Sequence, residues 1–150
     1  MRIHKQIEDS VRLIGAYFEI ETTDPEDKGK IKKLLKDWYR NHARSIVAGR
    51  FQMCFDAVSF LKPPLPDLKF KKMNKRWGSF SKSGSVIINP EIIKTPLKCI
   101  DYVLIHELCH LKFSRHDDKF YRLLGRIIPD WERRKKQLES IGAQAGIGDG

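Results

Sequence analysis

The sequence predicts an α+β fold, a small antiparallel or mixed sheet packed on helices. Three observations carry this reading. Alternating or β-branched runs occur in two separate places, Val11–Glu21 and Leu68–Asn89. Longer stretches repeat apolar residues at intervals of three and four, as amphipathic helices do, over Ile31–Val58, Leu97–Leu111 and again after residue 117. The chain has 150 residues, 41% hydrophobic and 32% charged, which suits one soluble domain with a core of its own.

Taken in order, Met1–Ser10 reads as a short helix or a loose arm. Val11–Glu21 reads as a strand, with Ala16, Phe18 and Ile20 on one face and Tyr17, Glu19 and Glu21 on the other. Thr22–Gly29 is polar and carries Pro25, so it predicts a loop. Ile31, Leu34, Leu35, Trp38, Tyr39 and Ala43 then mark one helix face, which Ile46 to Val58 extend as one long helix or two in succession. Pro63, Pro64 and Pro66 end helical character. Leu68–Lys72 alternates like an edge strand whose lysines discourage further pairing. Ser83-Gly84 signals a turn before Ser85–Asn89, so these two runs are expected to form a hairpin with a long connection. After Pro90, Thr95 as cap and Pro96 as first residue predict a buried helix through about Lys112. Further helices are expected over Asp118–Ile127 and Asp130–Ile141. The expected organisation is an arm and strand over 1–27, a main domain over 28–140, and a flexible glycine-rich tail over 141–150.

Charge and cysteines narrow the setting. Twenty-nine Lys and Arg against nineteen Asp and Glu leave +10, which favours acidic partners but specifies no chemistry. Eight of these cations lie between Lys28 and Arg50, beside one acid, Asp37; six more lie in the acid-free run Leu68–Lys82. Cys54, Cys99 and Cys109 form no Cys-x-x-Cys pair, which predicts free buried thiols in a reducing, cytoplasmic compartment. No apolar run approaches the ~20 residues that span a bilayer, and Met1–Gln6 leads into no signal-peptide core.

The chemistry is concentrated in His106-Glu107-Leu108-Cys109-His110. At about 100° per residue, His106 and His110 fall about 40° apart on one helix face and about 6 Å apart along the axis. Zinc takes imidazole nitrogen as ligand, so this pair can fill two of its positions. Glu107 projects about 100° away from His106, where a general base is better placed than a ligand. Random placement of five His and eight Glu gives the His-Glu-x-x-His pattern in only about 0.01 windows. Two histidines and a glutamate on so apolar a helix also carry a desolvation cost, which argues for a bound ion. His116 is the candidate third ligand. A continued helix would turn it about 240° from His110, so the chain must bend between Leu111 and Arg115, with Ser114 or Asp117 as cap of the next helix. Three protein ligands would leave a position open, as catalytic zinc sites do. His4 and His42 are expected in surface or core roles, and Cys109 as a small buried hydrophobe.

A family resemblance rests on an ordered series of residues. Lys75-Arg76-Trp77-Gly78-Ser79, Val86-Ile87-Ile88-Asn89-Pro90, Asp101-Tyr102-Val103, His106 to Leu111, His116 with Phe120, and Pro129-Asp130-Trp131 resemble the YgjP-like zincin metallopeptidases, over about Lys28 to Ser140. More distantly the chain is similar to the SprT-like and WLM proteases. The resemblance implies a compact α+β zincin-like domain whose sheet carries an edge strand over a zinc cleft. It also implies zinc ligands at His106, His110 and His116, with Glu107 as catalytic base. Phe80 stands where the family usually has Cys, Asp117 where Ser is usual, and the β-rich N-terminal part is expected to be short, about Val11 to Glu21.

The expected function is a zinc-dependent hydrolase, in first place a metallopeptidase acting on a peptide or protein. Candidate substrate contacts are Arg76, Trp77, Asn89, Tyr102 and Tyr121, of which Arg76, Tyr102 and Tyr121 are candidate oxyanion donors, while Asn89 at the strand end can equally position the loop. The Lys69–Phe80 segment would supply the strand and rim facing the substrate. Two alternatives remain open at this level. A basic rim suits a phosphoester or nucleotide substrate, and Phe70, Trp77 and Phe80 among lysines could stack the bases of a nucleic acid that recruits the hydrolase. No membrane partner is expected, and the sequence leaves the oligomeric state open.

Overall fold

The computed structural model describes residues 2–5, 9–14 and 17–146. It is an α+β structure with two three-stranded sheets and four α-helices among those residues. The chain divides into two compact units, Met1–His42 and Ala43–Gly150.

The first unit carries strands β1 (Arg2–Lys5), β2 (Ser10–Ile14) and β3 (Tyr17–Thr22), in the order β1-β3-β2. The run expected as one strand is therefore two. β2 and β3 pair antiparallel with Ile14 opposite Tyr17, whereas β1 lies parallel to β3 with Ile3 opposite Ile20. A period of two is the same for one long strand and for a strand folded back on itself, so alternation alone does not locate the reversal. The expected helix or arm over Met1–Ser10 is likewise corrected, since Arg2–Lys5 is held as a strand by a partner fifteen or more residues away. Cross-strand pairs reinforce the sheet: Arg12 Nη2 donates to Glu19 Oε1 at 2.5 Å. Helix α1 (Lys28–Ala57) begins in this unit. Its Trp38 and Tyr39 meet the Phe18 ring edge-on at 4.9 and 5.5 Å, and His42 stacks on Trp38 at 4.6 Å, a packing role. The side chain of His4 and all of Ala16 lie outside the described residues.

The second unit holds the main core. One continuous helix answers the question of one or two: α1 buries Ala43, Val47, Phe51 and Cys54 along its second half, with Val58 just past its end, a spacing of three and four that keeps one stripe inward. A 3-10 turn over Ser59–Leu61 and the prolines after it release the chain. Strands β4 (Asp67–Phe70), β5 (Gly78–Phe80) and β6 (Ser85–Ile88) form the second sheet, ordered β4-β6-β5. β4 is the expected edge strand, but it runs parallel to β6, not as its hairpin partner. The antiparallel partner of β6 is β5, a strand of only three residues, too short to show a period.

Helix α2 (Leu97–Leu108) is the centre of this unit, with nine of its twelve residues buried. The expected cap differs: Pro96 is its N-cap residue, while the Thr95 hydroxyl donates to Ile92 O at 2.8 Å and closes the preceding 3-10 turn over Pro90–Lys94. Arg50 of α1 grips Asp101 of α2 through two hydrogen bonds, of 2.8 and 2.5 Å. After α2 the chain tightens into a 3-10 turn over Cys109–Leu111, then reaches α3 (Asp118–Ile127) and α4 (Trp131–Ala145). α4 runs through Gly142, where the glycine content suggested a loose tail; residues 147–150 lie outside the described residues. Cys54, Cys99 and Cys109 are free and buried.

Candidate metal centre

His106 and Glu107 sit on the last turn of α2, 8% and 4% exposed in a core of aliphatic side chains. The helix ends two residues before His110, which stands on the following 3-10 turn. The chain then leaves helical geometry, and Asp117 restarts it by accepting the Phe120 N–H at 3.1 Å as the N-cap of α3. The bend required between Leu111 and Arg115 is present, and it returns His116 to the other two. One nitrogen from each of His106, His110 and His116 lies within 4.8 Å of the others.

The arrangement suits a cation. His110 Nδ1 lies 3.0 Å from Phe113 O, a carbonyl that can only accept, so Nδ1 carries the proton and a neutral ring has Nε2 bare. That Nε2 lies 3.0 Å from His116 Nε2. At ~2.0–2.1 Å from a tetrahedral zinc, two nitrogens stand about 3.4 Å apart, between the close pair and the full spread seen here. All three imidazoles pack around one ring: Phe120, fully buried, has its centroid 5.0, 4.9 and 4.8 Å from those of His106, His110 and His116. Of these rings the buried His106 loses the least freedom on gaining a ligand, and the exposed His116 the most. Phe120 belongs to the sequence motif, but its contact with every candidate ligand needed the fold.

Glu107 faces the same space. Its Oε1 is 3.3 Å from His106 Nδ1 and 4.0 Å from His110 Nε2. The strand beside it must be glycine at one place: a Cβ on Gly78 would come within 2.7 Å of Val103 Cγ1 and 3.2 Å of Glu107 Cγ. Gly78 thus lets β5 lie directly on α2, a role that its place in the Trp-Gly-Ser motif does not reveal. Cys109, fully buried next to His110, has its thiol pushed up to about 12 by burial and then by Glu107, so it stays protonated and apolar.

The candidate substrate residues fall in different places. Trp77 is a core residue, 3% exposed, so it offers no surface for base stacking. With Gly78, Tyr102, His106 and Glu107 it lines a cavity of about 10 Å³, room for about one water. Phe70 and Phe80 are half-buried against the core. Asn89 is spent on the fold: its Nδ2 donates to Met73 O and Arg76 O at 2.8 and 3.0 Å, and its Oδ1 accepts from Glu91 N. It therefore holds the 73–76 loop. Arg76 itself is exposed. Tyr102 is buried with its ring 5.9 Å from that of His106. Tyr121 is half-buried, its ring 6.4 Å from His116 and stacked on Trp131 at 5.0 Å. The departures from the family pattern find plain roles, since Phe80 lies 5.9 Å from the His110 ring and Asp117 caps α3, as Ser also can. A cleft of about 380 Å³ opens beside the centre, lined by Phe80, Ser81, Lys82, His110 and Ser114.

No helix among the described residues is long and apolar enough to cross a membrane. No curated protein matches the chain in sequence. Among solved structures the chain is similar to the crystal structure of the metallopeptidase zymogen of Pyrococcus abyssi abylysin, at 22% identity and a TM-score of 0.58, over 69% of this chain and 99% of that one. At that identity the likeness concerns the fold, which is that of a zincin-like metallopeptidase. The family match begins at residue 1 and so takes in the N-terminal strands, which start at Arg2 and not at Val11. Matching the YgjP-like metallopeptidase domain over residues 1–141, the chain belongs to the YgjP-like family, and at that level it is a metal-dependent peptidase.

Proposed function

We propose that the chain is a zinc-dependent peptidase in which Glu107 is the general base. The observation that carries this reading is the placement of the Glu107 carboxylate, buried and 4.0 Å from His110 Nε2, against three imidazoles whose nitrogens converge. His106, His110 and His116 would hold the ion, which when bound supplies Lewis acidity to a carbonyl and to water. Glu107 accepts a proton from water at Oε1 and returns it to the departing amine. Tyr121, at the edge of solvent beside His116 and fixed by Trp131, fits the oxyanion donor better than Tyr102 in the interior or Arg76 on the outer loop. Peptide is favoured over phosphoester because β5 is a sheet edge next to the cleft, and an unpaired edge can receive an extended chain by main-chain hydrogen bonds. Glu107→Gln is the decisive variant. It should bind zinc one-to-one while turnover of a peptide library falls by about 10²–10⁴-fold. Undiminished turnover in zinc-replete Glu107→Gln would remove Glu107 from the chemistry.

A further inference from the structure

A second cleft, of about 330 Å³, is lined in part by Lys112 and Phe113 of the segment that follows α2. Its apolar lining includes Phe60, Phe113 and Leu123. Its charged lining is Lys112, Lys119, Arg122 and Arg126, with no acid. Lys119, Arg122 and Arg126 follow one another at three and four along α3, so the cations share one face of that helix. None of the four makes an ion pair among the described residues. Like charges gathered without counter-charge repel one another, and an incoming anion relieves that repulsion.

The apolar part distinguishes this cleft from a merely basic surface. Phe60 is 47% exposed, and Phe113 and the buried Leu123 continue its apolar surface inward. The volume lies at the lower end of ligand sites, about 300–1,000 Å³, and fits one or two side chains. The Arg126 guanidinium already covers the Phe60 ring at 4.7 Å from its centroid. A nucleic-acid base would have to displace it to stack on that face, whereas an aliphatic or aromatic side chain can enter beside it and leave Arg126 free to meet a carboxylate.

We propose that this cleft is a docking site for an acidic protein segment, which inserts an apolar side chain among Phe60, Phe113 and Leu123 and places its carboxylates on Lys112, Lys119, Arg122 and Arg126. The site is distinct from the metal centre but close to it in the chain. Phe113 lines the docking cleft while its carbonyl oxygen accepts from His110, and His110 and Ser114 line the other cleft. Alternate parts of one short segment thus serve the two surfaces.

Binding is read directly, independently of hydrolysis, on the Glu107→Gln protein. The probe is a fluorescein-labelled hexapeptide of two glutamates, leucine, phenylalanine and two glutamates, followed by anisotropy. It should bind saturably. Arg122→Glu with Arg126→Glu, both at exposed positions, should weaken it by about tenfold or more. Phe60→Ser should weaken it comparably, as should replacing the leucine and phenylalanine of the probe by serines. Unchanged thermal unfolding of each variant shows that the fold is intact. The proposal is overturned if the serine probe binds as tightly as the parent, if the charge reversals have no effect, or if a single-stranded oligothymidylate binds more tightly through the same four cations. That last result would identify a nucleic-acid surface.

Discussion

The two halves of the candidate metal centre are built on opposite principles. His106 and Glu107 are buried on a helix that the core surrounds, whereas His116 is exposed on a short irregular segment between Leu111 and α3. The first half is held by packing and would be costly to disturb even without a metal. The second is held by its ends, the Asp117 cap and the wedge of Phe120, and so has freedom that an ion would remove. The difference teaches that the helix half supplies the position of the site and the loop half completes it.

The largest test removes one ligand from each half. His106→Ala and His116→Ala should each lower zinc affinity by more than about 100-fold. Only His106→Ala, which empties a buried position, should also lower the melting temperature of the metal-free protein. Equal melting temperatures for the two metal-free variants would erase the distinction. A smaller effect is expected at Gly78. Gly78→Ala forces a methyl group toward Val103 and Glu107 and should cost about 1–3 kcal/mol in chemical denaturation, with activity reduced beyond what lower stability explains. A stable, fully active Gly78→Ala would show that β5 can retreat without moving the carboxylate. The smallest effect is at Asp117. Asp117→Ala should cost about 1 kcal/mol through loss of the α3 cap, and Asp117→Ser should recover most of it. Should Asp117→Ala weaken zinc binding as severely as His116→Ala, the cap would be the main constraint on the loop.

The same division explains what could be read before folding. His106, Glu107 and His110 were legible because helical spacing fixes their relation within five residues. His116 was legible as a third histidine within eleven residues of His106, but its return to the site depends on a bend that spacing requires and does not draw. Gly78 and Phe120 belong to that motif, yet their contacts with Glu107 and the imidazoles depend on β5 crossing α2 and on α3 closing over the centre, which no local pattern encodes. β1 was hidden for the same reason. Four residues with a parallel partner near position 20 carry little signal of their own. Asn89 illustrates an ambiguity that local sequence leaves open, since a polar residue at a strand end can position a substrate or a loop, and its bonds to Met73 O and Arg76 O tie down the 73–76 loop.

The three cysteines mark three depths of one unit: Cys54 on α1, Cys99 at the start of α2, and Cys109 beside His110. Burial pushes the thiols of Cys54 and Cys109 up to about 12 and raises that of Cys99, so all three are poor nucleophiles while the unit is closed. An unfolded thiol ionises near 8.5, so these groups favour the folded state below that pH and cease to favour it as pH climbs toward their folded values. The chain therefore carries its own clock for core opening. A pulse of thiol reagent marks which part has opened, and the mark on Cys109 times the exposure of the metal centre itself.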